Sequence, residues 1–61
     1  MYAIKFRRKG GRGWYFATPR GHGNRLRIHA AQFETKAEAL QVVLNDSKNN
    51  PELEFKVVRF S

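Results

Sequence analysis

Apolar residues recur at about every second position over Tyr2 to Arg8, Arg25 to Ala30 and Leu53 to Val58, and every third or fourth over one segment beginning at Ala37. Period two belongs to a half-buried strand and period 3.6 to a helix. One helical segment can cover one face of a sheet, and a chain of 61 residues has little else to cover the other. The second face is therefore left to solvent or to a partner.

The helix is the best-marked element. Thr35-Lys36-Ala37-Glu38 is a capping box: the Thr35 hydroxyl accepts from the Glu38 amide and the Glu38 carboxylate reaches back. Ala37, Leu40, Val43, Leu44 and Ser47 follow at three- and four-residue spacing and form the stripe expected to face the sheet. Asn49-Asn50-Pro51 ends it, because Asn tolerates a left-handed C-cap and Pro cannot continue a helix.

Strands surround this helix. Tyr2, Ile4 and Phe6 alternate with Ala3, Lys5 and Arg7. Gly10, Gly11 and Gly13 interrupt the pattern as a hairpin loop would. Trp14 and Phe16 then share one side of a second strand, with Tyr15 and Ala17 on the other. Pro19, Gly21 and Gly23 mark a second loop. Arg25 to Ala30 predicts a third strand, and Leu53, Phe55 and Val57 alternating with Glu54, Lys56 and Val58 predict a fourth. The fold expected is α+β: an antiparallel sheet with one helix packed on one face, in the order β-β-β-α-β, as a single domain over residues 1–61. Its core would hold Ile4, Phe6, Trp14, Phe16, Leu26, Ile28, Leu40, Val43, Leu44, Phe55 and Val57, with Phe33 plugging one end. Val58 and Phe60 point away from the helix on this parity, toward the open face or an edge.

Charge falls unevenly on this frame. Lys5, Arg7, Arg8, Lys9, Arg12, Arg20, Arg25 and Arg27 lie before residue 30, a stretch without Asp or Glu. After it, Lys36, Lys48, Lys56 and Arg59 are outweighed by Glu34, Glu38, Asp46, Glu52 and Glu54. The whole net charge of +7 thus belongs to the first half, which points to a polyanionic partner. A solubilising surface is the plainer alternative. The uncovered face would carry Lys5, Arg7, Tyr15, Arg25, Arg27 and His29. Like charges opposed on neighbouring strands repel, and a phosphate backbone relieves that repulsion while releasing counterions. An ordinary solvated face of an antiparallel sheet is the competing explanation. Arg8, Lys9, Arg12 and Arg20 in the loops suit phosphate contacts. Arg25 and Arg27 suit base edges in a major groove, and Tyr15 suits a sugar or an unpaired base.

Other chemistries find little support. The chain has no cysteine, hence no disulfide and no thiolate metal site. His22 and His29 stand seven apart without a nearby acid and make an unconvincing metal pair. Neither Ser47 nor Ser61 has a catalytic partner around it. An enzyme is not expected, nor a cofactor. No apolar run approaches the ~20 residues of a membrane span, and the chain reads as a small cytoplasmic protein, monomeric or weakly dimeric.

The segments Trp14-Tyr15-Phe16 and Asn24 to Leu40, with Phe33-Glu34-Thr35-Lys36-Ala37-Glu38-Ala39 at the helix entrance, carry a resemblance. The chain resembles the three-stranded-sheet-plus-helix DNA-binding domain of plant ethylene-response factors and of the arm-binding domains of tyrosine integrases. That resemblance spans about Tyr2 to Asp46. It implies a sheet lying in the DNA major groove, with Arg25, Arg27, His29, Lys5, Arg7 and Tyr15 as contacts. A glycine common before the helix-entrance aromatic is absent, and the strand at Leu53 to Phe60 is additional. In style the chain also looks like small phage-encoded α+β proteins, which implies a host protein as target. Two functions follow as expectations: binding of double-stranded DNA by the basic face, or inhibition of a host protein, as an anti-defence or host-takeover factor, through an acidic surface on that protein.

Overall fold

A computed structural model describes residues 1–19, 23, 24, 26 and 29–60. They form β1 (Tyr2–Arg8), β2 (Tyr15–Ala17), β3 (Gly23–Asn24), α1 (Lys36–Asn49) and β4 (Leu53–Arg59). The four strands make one sheet in the order β3-β2-β1-β4, with every pairing antiparallel. The α+β class and the β-β-β-α-β order are as the sequence predicts.

The backbone of the sheet is the long pair β1 and β4, matched from Tyr2↔Arg59 to Arg8↔Leu53. Both strands run for seven residues, and successive side chains of a strand point to opposite faces, so each can place one set inward. Between β1 and β2, the Gly11 N–H donates to the Arg8 carbonyl at 2.8 Å, closing a turn with Gly10 at φ +76°. Among the described residues no non-glycine has positive φ, so this is a type II turn, whose third position needs glycine. A Cβ on Gly11 would stand 2.9 Å from the Arg8 carbonyl oxygen, so a side chain there forces the turn apart.

Thr35 caps α1 as expected: its hydroxyl accepts from the Glu38 N–H at 3.2 Å. The Glu38 carboxylate does not close the box on a backbone amide; it accepts the Thr35 hydroxyl proton at 3.2 Å. At the other end Asn50 has φ −134°, outside the left-handed region. It caps by chemistry instead, donating from both its backbone N–H (2.9 Å) and its side-chain amide (3.1 Å) to the Asp46 carbonyl. Leu53 N–H then donates to the Asn50 carbonyl at 3.0 Å, with Pro51 between them in the position where its fixed φ suits a turn.

The helix lies on the Ile4 and Phe6 side of the sheet. Ile4, Phe6, Leu53 and Phe55 line a half-open cleft of about 220 Å³ whose opposite wall includes Val42 and Asp46. Phe33 lines the same cleft and is bridged to Tyr2 by two 2.8 Å backbone hydrogen bonds, so it does close one end of the core. Ala3, Ile4, Ala30 and Ala39 are the described apolar residues that are fully buried.

The helical stripe is rotated from the one expected. Ala39 is buried and Val42, Val43 and Asp46 are half-buried, whereas Leu40 and Leu44 are 46% and 56% exposed. The reason is steric: the helix rests on a sheet of large aromatic side chains, and a small residue at the point of contact lets it approach. The third strand also differs. It is Gly23–Asn24, and Leu26 is exposed. His29 N–H donates to the Leu26 carbonyl at 3.2 Å, which makes a turn where a strand through Ala30 was expected. Ile28 lies outside the described residues.

Candidate nucleic-acid interface

The register of β1 with its two neighbours decides what the face opposite the helix carries, uncovered in that no described helix or strand packs on it. Residues directly opposite on antiparallel strands point to the same side. Ile4↔Val57, Phe6↔Phe55 and Phe6↔Tyr15 therefore belong to the helix side. Ala3↔Val58, Lys5↔Lys56, Arg7↔Glu54 and Lys5↔Phe16 belong to the uncovered side. Trp14 shares the parity of Phe16 and joins it there.

Two expectations are overturned by this register. Tyr15 is not on the outer face: its ring lies 6.1 Å from that of Phe6, which itself lies 6.3 Å from Phe55. Trp14 and Phe16 are not core residues; they stand among cations. Arg7 lies 4.4 Å and Lys56 4.3 Å from the centroid of the Trp14 ring, and Lys5 lies 5.0 Å from that of Phe16. All-apolar Trp14-Tyr15-Phe16-Ala17 reads equally well in either parity, so alternation within β2 cannot choose. A signal was nevertheless present in β1. Placing Trp14 and Phe16 across from Arg7 and Lys5 gives each cation its own aromatic partner, whereas the other parity leaves them Tyr15 to share. Lys56 was legible too, since it shares the outward parity of Glu54 and Val58.

The face is organised along its length. At one end Ala3 faces Val58, and Ala3 is fully buried, so this end of the face is closed to solvent at Ala3. In the middle Lys5 faces Lys56 on one side and Phe16 on the other. At the far end Arg7 Nε donates to the Glu54 carboxylate at 2.7 Å. That hydrogen bond outweighs the desolvation that opposes it and, aided by the positive charge of Arg7, holds the Glu54 carboxyl below the usual carboxylate value. Lys9 and Arg12 are exposed beyond this end of β1 and extend the positive strip from the face into the hairpin loop, while Arg8, opposite Leu53, has the parity of the helix side and is exposed at the end of the strand.

The remaining expected contacts separate from this site. His29 is exposed but sits in a turn, not on a strand of the sheet. Arg20, Arg25, Arg27 and His22 lie outside the described residues. Among the described residues no group of three metal-ligating side chains occurs, and no helix is long and apolar enough to cross a membrane.

Magnitudes indicate what these contacts can give up. A cation over an exposed aromatic ring is worth about 0.5–1 kcal/mol. A base stacked on the same ring is worth about 1–3 kcal/mol. A ligand that offers phosphate to the cation and a base to the ring can therefore displace the internal contacts and gain from the exchange.

No protein-family model, curated protein or solved structure matches the chain.

Proposed function

We propose that this chain is a non-enzymatic nucleic-acid-binding domain that works through the uncovered face of its sheet. The observation that supports this reading is the cluster of Lys5, Arg7 and Lys56 around Trp14 and Phe16 on the face opposite the helix. Lys5 and Lys56 are directly opposed, an arrangement that costs stability in isolation and that phosphate relieves. The glycine-turn cations Lys9 and Arg12 continue the strip, and Arg8, exposed at the end of β1, stands at its edge. DNA in the duplex form suggested by the resemblance, and single strands of either nucleic acid, are both polymers this strip could hold.

Binding should be strongly salt-dependent. With Lys5, Arg8, Lys9, Arg12 and Lys56 each neutralising a phosphate, log K against log salt should fall with a slope of about −3 to −5. Titrations of labelled duplex and single strands at two salt concentrations measure it. A slope near zero with every polymer, or no binding at ~50 mM salt, overturns the reading.

A second reading rests on Val58, which stands half-buried on the same face beside the cations. Apolar and cationic residues side by side suit an acidic protein surface, as a host-protein inhibitor would need. A stoichiometric protein partner that stays bound after nuclease treatment, with no affinity for any nucleic acid, would select it.

A further inference from the structure

Resting on the nucleic-acid reading above, we infer that the strand this face takes is single: unpaired bases stack on Trp14 and Phe16 while Lys5 and Lys56 hold the adjoining phosphates. The inference comes from which parts of a base an aromatic ring can reach. In a duplex the faces of the bases are covered by their neighbours, and the grooves show only edges. Edges are read by donors and acceptors, and neither Phe16 nor the flat of an indole ring supplies them. Faces are open only in an unpaired strand.

The geometry suits such a strand. Trp14 and Phe16 are two residues apart on the same side, about 6.6 Å along the strand. That is roughly twice the 3.4 Å rise between stacked bases of one strand. Two neighbouring bases must therefore be drawn apart to lie one on each ring, which a free strand allows and a duplex resists. Insertion of a side chain between duplex base steps requires a protruding wedge. Trp14 and Phe16 are instead half-buried, with Arg7, Lys56 and Lys5 held over their rings. The cations that cap the rings in the free protein are the same ones that meet the phosphates in the complex. Base and phosphate thus replace both halves of each cation–ring contact together.

Among the described residues, the arginine that this face presents is poorly placed for groove reading. Arg7, the arginine of β1 on this face, is held by Glu54 and lies over Trp14. Reaching a guanine edge would require breaking both contacts.

Trp14 is the only tryptophan in the chain, so its emission reports on this site alone. The full chain is titrated against labelled strands of about 12 thymidines, about 12 uridines and a duplex of the same length, sizes typical of small single-strand binders. At least one single strand should bind tenfold or more tightly than the duplex and should quench Trp14. A preference between the two single strands reports the 2′-hydroxyl. Trp14→Ala and Phe16→Ala should each weaken single-strand binding by about tenfold. Trp14→Phe, which keeps a ring and the fold, should recover most of the loss. Duplex bound as tightly as either single strand, or single-strand binding without quenching of Trp14, overturns the inference and leaves the nucleic-acid reading standing. Failure to bind any of the three polymers overturns both.

Discussion

Glu54 is the one acidic side chain that the described strands place on the uncovered face, and it is bound to Arg7. It orients the guanidinium beside Trp14 and subtracts a positive charge from the strip. Replacing it with Gln should tighten nucleic-acid binding and steepen its salt slope by up to about one phosphate contact, read in the same titrations. The replacement should also lower stability at neutral pH, because the Arg7 contact loses its charge. Glu54 titrates below its ordinary value in the folded protein. A depressed carboxylate stabilises the fold above the unfolded-state value, and that contribution is lost as pH falls through the folded-state value. The stability difference between the wild-type chain and Glu54→Gln should therefore shrink below about pH 4, as denaturant melts at neutral and acid pH would record. A constant difference would mean that the ion pair contributes nothing. At this scale the residues themselves are easy to read in the sequence. The orientation of Trp14 and Phe16 is not, because four consecutive apolar residues satisfy either face.

The helix shows the same division one level up. Its start at Thr35 and its stop at Asn50 follow from local chemistry, and both ends are where capping rules place them. Its rotation about its own axis does not follow. Ala37, Leu40 and Leu44 make a plausible inward stripe, yet Ala39, fully buried, meets the sheet and the two leucines face outward. Leu44→Ala should consequently cost less than about 1 kcal/mol, where a core leucine costs about 2–5 kcal/mol. Ala39→Leu should cost about 1–3 kcal/mol through overpacking. Denaturant midpoints of the two variants decide the matter: a larger loss for Leu44→Ala than for Ala39→Leu would put the stripe back where the spacing suggests. The third strand is the other element that moved. Where alternation predicted a strand from Arg25 to Ala30, the His29 N–H donates to the Leu26 carbonyl, and the described pairing to β2 is confined to Gly23 and Asn24.

For the molecule as a whole, charge and fold pull against each other. A net charge of +7 on 61 residues, with Lys5 set against Lys56, repels itself in the free protein. Raising salt should therefore stabilise the chain while weakening its hold on nucleic acid. Screening worth about 0.5 kcal/mol would raise Tm by about 2–4 °C in a domain of this size. Thermal melts between ~20 and ~200 mM salt, about 22 down to 7 Å of Debye length, give the measurement; a Tm that falls with salt would mean that attractive pairs outweigh the repulsion. Alternation, the capping box, the turn glycines and the acid-free first half are local properties of the chain. By themselves they determined the α+β class and pointed to a basic sheet face opposite the helix. The tertiary structure alone decided which aromatic residues share that face with the cations. Side-chain direction in a strand reverses with each single residue, so the face of β2 depends on how the hairpin joins it to β1, and that register is settled only when the strands pair.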